Sequence, residues 1–218
     1  MREPLVSVIM CLRDGERYLR EALDSIADQR LEDLQVIVVD DGSKDDSAQI
    51  AMDHALPTEI LSQRPLGISV ALNYGIRVAR GRYLAFLDCD DVWPQGRLDA
   101  MLAAFKNDAT LDAVVGQTVN TDERLNQINS PQPARLLGAM LVKRSSALKV
   151  GEFRTDIAHA TIVDWNSRAA GLRLRFHALD DIVLLRRIHG DNLGIRDRGR
   201  ARVDLLRVVR DHLNRTRQ

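Results

Sequence analysis

The sequence predicts an α/β fold with a mostly parallel central sheet and helices on both of its faces. Short apolar runs alternate with amphipathic segments along the first half of the chain, at the spacing of strand–helix–strand crossovers. With 218 residues, of which 45% are apolar, the chain can bury one sizeable core. We therefore expect a single domain over 1–218.

Continuous apolar runs predict the strands, because strands buried on both faces carry apolar side chains in succession. The first strand, Val6–Leu12, is bounded by Asp14-Gly15. The later predicted strands are Val36–Val39, Thr58–Leu61, Tyr83–Leu87, Asp112–Gly116, Ala139–Val142 and Val183–Arg187.

Apolar residues at helical spacing predict the helices. In Glu16–Ala27 the apolar positions are Leu19, Leu23 and Ile26. Ser43, which is followed by Asp45 and Asp46, is the predicted N-cap of a second helix. Asn120–Pro133 is polar and contains two prolines, so we expect a long loop with the character of a functional lid. Further predicted helices are Ser69–Ala79, Arg97–Lys106, Ser145–Val150, His159–Ala170 and a basic amphipathic helix from Arg196 to the end.

Charge and cysteine content narrow the functional classes. The 31 basic and 31 acidic side chains cancel, so no global field favours nucleic acid, and we expect no nucleic-acid partner. Cys11 and Cys89 lie within or just after strand-like runs, where buried thiols need no disulfide, which favours a reducing cytoplasm. The apolar run Leu5–Leu12 is too short for a signal peptide or a membrane span, so we expect no membrane segment.

Two acidic turns follow two of the predicted strands. Val36–Val39 runs into Asp40-Asp41-Gly42-Ser43, and Tyr83–Leu87 runs into Asp88-Cys89-Asp90-Asp91. The carboxyl ends of parallel strands meet at the sheet edge where α/β proteins bind ligands. Three carboxylates within four residues repel one another unless a cation or protons compensate them. The two turns therefore predict a metal-bound, phosphate-bearing ligand.

Several blocks of residues recur in a characteristic order and spacing from about Val6 to Asn192. They are Val6-Ser7-Val8-Ile9 with Gly15-Glu16-Arg17-Tyr18-Leu19, Val39-Asp40-Asp41-Gly42-Ser43, Gly67 with Ala71, Asn73 and Gly75, Gly81–Asp91, Gly151-Glu152-Phe153, and Arg187-Ile188-His189 with Asn192. In this order and spacing the chain resembles the family-2 inverting glycosyltransferases with the GT-A fold. The resemblance implies a nucleotide-binding half over about 1–118, an acceptor-binding half over about 119–195 and a basic helix over 196–218.

The resemblance also implies an activity and a set of site residues. The implied reaction moves a sugar from a nucleotide-diphosphate donor to an acceptor hydroxyl, with inversion and with Mn²⁺ or Mg²⁺ as cofactor. Asp90 and His189 would bind the metal. Asp91 and Arg187 would contact the diphosphate or stabilise the site. The implied nucleotide-binding residues are Arg13, Asp14, Glu16, Asp40, Asp41, Asn73 and Asp88.

Inversion needs a general base, and the resemblance assigns this role to Asp164. The chain has Thr161-Ile162 where relatives frequently carry Glu-Asp. Asp156 is therefore an alternative base, and a catalytically weak nucleotide-sugar-binding protein that acts as a partner or regulator is an alternative function. A nucleotidyltransferase is disfavoured because no Gly-rich, lysine-bearing loop follows the first strand. The chain has Arg13 where relatives have an aromatic residue, so Arg13 would stack on the base.

The acceptor is expected to be a glycan, a lipid-linked glycan or a small molecule, in bacterial surface-glycan or related glycoconjugate synthesis. We expect a cytoplasmic location. For the C-terminal basic helix the sequence favours a packing role and leaves open docking at the inner membrane face. A homodimer is also left open.

Overall fold

The computed structural model describes residues 3–192 and 197–216. In these ranges the strands are β1 (Val6–Leu12), β2 (Leu34–Asp40), β3 (Glu59–Ser62), β4 (Tyr83–Phe86), β5 (Ala113–Thr121), β6 (Gln132–Pro133), β7 (Met140–Lys143) and β8 (Phe176–Arg187). The helices are α1 (Glu16–Ala27), α2 (Ser47–Asp53), α3 (Ile68–Val78), α4 (Arg97–Asn107), α5 (Arg144–Val150), α6 (Thr161–Gly171) and α7 (Arg198–Thr216).

All eight strands belong to one mixed sheet. Its order is β3-β2-β1-β4-β7-β5-β6, with β8 paired to β5. The four strands β3, β2, β1 and β4 are mutually parallel, whereas β7 is antiparallel to both of its neighbours and β8 runs parallel to β5. The predicted α/β class is therefore confirmed, and the antiparallel pairs are confined to the second half of the sheet.

Helices cover both faces of the sheet, as the continuous apolar strands predicted. Strand β1 is buried along its whole length, and alternate side chains enter different cores. Val8 and Met10 belong to the core beneath α1 and α4, whereas Ile9 belongs to the core beneath α3 and α6. Helix α3 lies very close to β1, because a Cβ atom added at Gly75 would lie 2.5 Å from Cγ2 of Ile9.

The largest difference from the sequence-based prediction lies in the second half of the sheet. Strand β8 begins at Phe176 rather than at Val183, and β5 extends to Thr121, which pairs with Arg187. The expected loop Asn120–Pro133 therefore contains the end of β5, a hairpin turn over 122–126 and the short strand β6. Pairing between distant strands gives these polar segments a regular conformation that their own sequence does not indicate.

Two helix starts also differ from the prediction. Ser43 is not an N-cap, because α2 begins at Ser47 and the hydroxyl of Ser43 instead donates to Oδ1 of Asp40 over 2.6 Å. Helix α6 begins at Thr161 rather than at His159, because Ala160 has the non-helical φ of −110° of an N-cap residue. The backbone N–H of His159, outside the helix, donates to the carboxylate of Asp204.

The C-terminal helix packs against the start of α6. The predicted start at Arg196 lies outside the described residues, and α7 runs over Arg198–Thr216. Val208 is buried against Ile157 and Ala160. Within the described ranges, no helix is both long enough and apolar enough to cross a bilayer.

Candidate active site

Three carboxylates converge at the carboxyl end of β4. Asp88, Asp90 and Asp91 each offer an oxygen atom, and these atoms all lie within 4.8 Å of one another. The N–H of Asp91 donates to the carbonyl of Asp88 over 3.1 Å, which closes the turn on itself. Asp90 is half-buried and Asp91 is buried, so the cluster extends inward from the surface of the protein.

Two carboxyls of the acidic cluster, those of Asp88 and Asp91, have raised pKa values. Desolvation, followed by the charge of Asp90, raises the pKa of Asp88 to about 6. Burial first, and then the charges of Asp88 and Asp90, raise the pKa of Asp91 well above its usual range. A divalent cation would remove this repulsion, and the all-oxygen donor set suits Mg²⁺ or Mn²⁺. The described residues therefore fit such a metal.

His189 and Asn192 hold one oxygen of Asp90. Nε2 of His189 lies 2.9 Å from Oδ2 of Asp90, and the side-chain amide of Asn192 donates to the same oxygen over 3.0 Å. The N–H of His189 also donates to Oδ1 of Asn192 over 2.8 Å. The segment after β8 is thus fixed to the acidic turn, and it brings an imidazole to the place where the sequence expected a metal ligand.

Arg187 is the central connection of the site, and it is 2% exposed. Its backbone N–H donates to Oδ1 of Asp91 over 2.9 Å, and Nε donates to the carbonyl of Asp90 over 3.0 Å. Its two terminal nitrogens bind the carbonyl of Glu123 and the carboxylate of Glu21, at 2.8 and 2.5 Å. These donors already bind protein groups. Arg187 is therefore placed to stabilise the acidic turn rather than to contact a diphosphate.

Tyr18 is a site residue that the sequence reasoning missed. Its ring lies 5.1 Å from the His189 ring and 4.3 Å from the guanidinium of Arg187, measured to ring centroids. Its hydroxyl is buried and has no hydrogen-bond partner among the described residues. The sequence offers two signals: Tyr18 belongs to the block Gly15-Glu16-Arg17-Tyr18-Leu19 of the resemblance, and it lies outside the apolar stripe of Leu19 and Leu23.

The end of β2 carries the second acidic turn, whose two carboxylates are both nearly buried. Oδ1 of Asp40 accepts hydrogen bonds from the backbone and the hydroxyl of Ser43, at 2.9 and 2.6 Å. Asp41 accepts hydrogen bonds from the side chain of Gln63 and from the backbones of Leu66 and Gly67, at 2.7 to 2.9 Å. Asp41 therefore fixes the loop that leads into α3, and both of its oxygens are used.

Asp14 and Glu16 connect the loop after β1 to the loop after β2. Oδ1 of Asp14 accepts from the N–H of Lys44 over 2.7 Å, and Oε2 of Glu16 accepts from the N–H of Asp46 over 3.0 Å. Asp14 adopts a positive φ of 52°, which the reciprocal bonds between the loops stabilise. Arg13 directly follows β1. Its side chain is 51% exposed and accessible to a ligand.

Asn73, predicted as a nucleotide contact, is 3% exposed and pairs with Phe153. Its side-chain NH₂ donates to the carbonyl of Phe153, and its Oδ1 accepts from the N–H of Phe153, both over 2.8 Å. A nucleotide contact would have to break these bonds. Asn73 instead attaches the segment after α5 to α3.

Asp164, the general base that the resemblance implies, is fully enclosed by the protein in this structure. Its side chain has no exposed surface, and Oδ2 accepts from Nε of Arg168 over 2.8 Å. The guanidinium of Arg168 in turn donates to the carbonyls of Val150 and Glu152. An acceptor hydroxyl must contact its base. Asp164 therefore positions Arg168, which caps the end of α5.

The alternative base, Asp156, is accessible. Its side chain is 61% exposed, and it pairs with Arg154 through two hydrogen bonds of 2.9 and 2.6 Å. These bonds lower the pKa of Asp156. The positions where relatives frequently carry Glu-Asp are used for packing, because Thr161 lies 3.0 Å from the hydroxyl of Ser69 and Ile162 packs against a buried core.

Residues 7–161 match the profile of the family described as Glycosyl transferase family 2. The chain belongs to this family. A chondroitin synthase from Escherichia coli is 29% identical over 230 residues, an alignment that covers 98% of this chain and 33% of the relative. The chain thus spans about a third of that curated relative.

Solved structures match the fold. The mannosyltransferase PcManGT from Pyrobaculum calidifontis, in complex with GDP-Man and Mn²⁺, has a TM-score of 0.76 at 21% identity, and the match covers 98% of this chain and 65% of that one. TarS 1–349 from S. aureus, in complex with UDP-GlcNAc, has a TM-score of 0.74 at 21% identity, and covers 88% and 60%. The fold is therefore the GT-A fold of glycosyltransferases.

Proposed function

We propose that this protein transfers a sugar from a nucleotide-diphosphate donor to an acceptor hydroxyl, with inversion and with a divalent cation. The observation that carries the proposal is the convergence of Asp88, Asp90 and Asp91 within 4.8 Å at the sheet edge. Support comes from the family and from two neighbours whose structures contain GDP-Man with Mn²⁺ and UDP-GlcNAc.

Asp88, Asp90 and Asp91 would hold the cation, with His189 beside them. A divalent cation, when bound, would neutralise the charge that develops on the diphosphate leaving group. The chain's own contribution is orientation. His189 and Asn192 fix one oxygen of Asp90, and Arg187 binds its carbonyl, so the acidic turn is held in one conformation before a donor arrives.

For the nucleoside we propose the part of the sheet edge that carries Arg13 and Asp40. Arg13 is exposed, and a guanidinium can stack on a base. Asp14, Glu16 and Asp41 would act indirectly, because they fix the loops on which Arg13 and Asp40 lie.

We propose Asp156 as the base in place of Asp164. It is exposed and, because Arg154 lowers its pKa, ionised at neutral pH, which a proton acceptor requires. It lies in the segment that Asn73 and Ser69 attach to α3. The lowered pKa also makes it a weak base, so slow transfer is expected.

A second candidate function is nucleotide-sugar binding with little or no turnover. Two observations favour it. Asp164 is fully buried, and Thr161 and Ile162, at positions where relatives frequently carry acids, pack inside the protein. Such a protein would bind donor and metal but would leave the sugar in place.

Incubation with Mn²⁺ and a panel of UDP- and GDP-sugars tests the proposal. Release of nucleoside diphosphate is measured together with nucleotide affinity by calorimetry. Asp90→Asn should lower Mn²⁺ affinity by ~100-fold or more, because one anionic ligand is lost. Asp99→Asn, at an exposed position of α4, is the matched control. Nucleotide binding without any product favours the second candidate, and absence of nucleotide binding contradicts both.

A further inference from the structure

The outward face of α7 is an exposed aliphatic surface on an otherwise charged helix. Leu206 is 63% exposed, Val209 47% and Leu213 49%, and these three recur at i, i+3 and i+7. Leu205 at 44% widens the same stripe. We call these four residues the α7 stripe. Each of the four is more than two-fifths exposed.

Arginines flank the α7 stripe, and acids are absent from it. Arg202 and Arg210 are exposed on either side of Leu206 along the helix. The two acids of α7 are turned toward the protein: Asp204 is 8% exposed, and Asp211 binds Arg154 over 2.6 Å. The outward face of α7 therefore combines aliphatic side chains with positive charge, although the whole chain is neutral.

The opposite face of α7 is fixed to the protein by polar contacts. Asp204 accepts hydrogen bonds from the N–H groups of Ala158 and His159, at 2.9 and 3.2 Å. Nδ1 of His212 lies 2.7 Å from the hydroxyl of Ser167. With Val208 buried between these contacts, α7 cannot rotate its aliphatic residues inward without breaking them.

We propose that the α7 stripe docks on the surface of an anionic phospholipid bilayer. A helix of 19 residues is ~28 Å long, enough to lie along the interface with its leucines among the acyl chains and its arginines at the phosphates. A second copy of this chain fits less well, because a two-fold contact between identical stripes would bring arginines together. This docking is independent of the proposed sugar transfer.

Vesicle flotation tests the docking. The protein is mixed at 0.1 M salt with vesicles of phosphatidylcholine alone or with 30% phosphatidylglycerol. We expect at least ~10-fold more protein on the anionic vesicles, and a loss of that excess at 0.5 M salt. Leu206→Glu with Leu213→Glu should reduce binding by ~10-fold or more, because two inserted side chains become anionic.

Leu148→Glu is the matched control, since Leu148 is 51% exposed on α5 and lies outside the α7 stripe. It should bind vesicles as the unchanged protein does, and both proteins should melt at the same temperature. Equal binding to the two kinds of vesicle, or unchanged binding by the double variant, overturns the proposal. So does a dimer in light scattering that the double variant converts to monomer, because the stripe would then be covered by a second copy.

Discussion

The backbone N–H of Arg187 donates to Oδ1 of Asp91 over 2.9 Å, so the end of β8 and the acidic turn after β4 are fixed to each other. The two residues are 96 positions apart in the chain. The side chain of Arg187 then extends this connection to α1 through Glu21 and to the hairpin turn through the carbonyl of Glu123.

Replacing Arg187 should therefore weaken both the fold and the site. Arg187→Met removes three half-buried side-chain hydrogen bonds, and we expect a loss of about 2–4 kcal/mol in the free energy of unfolding. Urea denaturation measures it. Arg77→Met, which removes an exposed ion pair to Glu152, should cost only about 0–1 kcal/mol. Equal losses in the two variants would show that Arg187 is not the central connection.

Tyr18 should influence metal binding through its ring. The ring contacts His189, which lies against Asp90, so Tyr18→Leu should lower Mn²⁺ affinity by ~10-fold. Tyr18→Phe keeps the ring and removes a hydroxyl that has no partner among the described residues, so its Mn²⁺ affinity should be unchanged. Calorimetric titration with Mn²⁺ in the absence of nucleotide separates the two variants. A Phe variant as weak as the Leu variant would contradict a role for the ring.

The raised pKa of Asp88 predicts a pH dependence of stability. The pKa of an aspartate in the unfolded chain is ~3.9. In the folded protein the pKa of Asp88 is about 6. Protonated Asp88 thus stabilises the fold at low pH, and this contribution is lost as the pH rises through about 6. In EDTA, the melting temperature of Asp88→Asn should rise relative to the unchanged protein between pH 5 and pH 7.5.

Saturating Mn²⁺ should suppress that pH-dependent difference, because the cation compensates the carboxylates. A constant difference between the two proteins across this pH range would count against the charge repulsion inferred for the acidic turn.

Asp164 should matter for stability more than for chemistry. Asp164→Asn leaves the half-buried Arg168 beside a neutral acceptor and removes the fully buried charge that pairs with it, so we expect a loss of about 1–3 kcal/mol in unfolding free energy. Below its melting temperature the variant should keep kcat within ~10-fold, whereas removing a general base costs ~100-fold or more. Asp156→Asn is the comparison. A large loss of kcat in Asp164→Asn but not in Asp156→Asn would show that Asp164 is the general base.

The contact between α3 and β1 can be tested with two glycines. Gly75→Ala would place a methyl group 2.5 Å from Ile9, and we expect a loss of stability. Its size should be about 1–3 kcal/mol, as for overpacked cores. Gly171→Ala, at the end of α6, meets nothing within 4 Å. It should stabilise by about 0.5 kcal/mol, because alanine restricts the unfolded chain. Thermal unfolding distinguishes the two.

From the chain alone, one could predict the α/β class, most of the strands and helices, and the two acidic turns. These features are local, because a buried parallel strand is apolar along its length and a helix shows its own periodicity. The ends of β2 and β4 could thus be predicted to bring Asp40 and Asp88–Asp91 to one edge. The family resemblance also placed His189 in the region of the metal, although its role stays a prediction.

Which polar side chains remain available to a ligand follows from the folded arrangement. Asp41, Asn73 and Asp164 look like site residues in sequence, yet Gly67, Phe153 and Arg168 respectively contact their side chains in the fold. A buried polar group must be satisfied wherever the fold places it, and the chain pattern does not show from where its partner comes. For the same reason the sequence does not show that Tyr18 lies beside His189, or that Arg187 connects the acidic turn to Glu21 and Glu123.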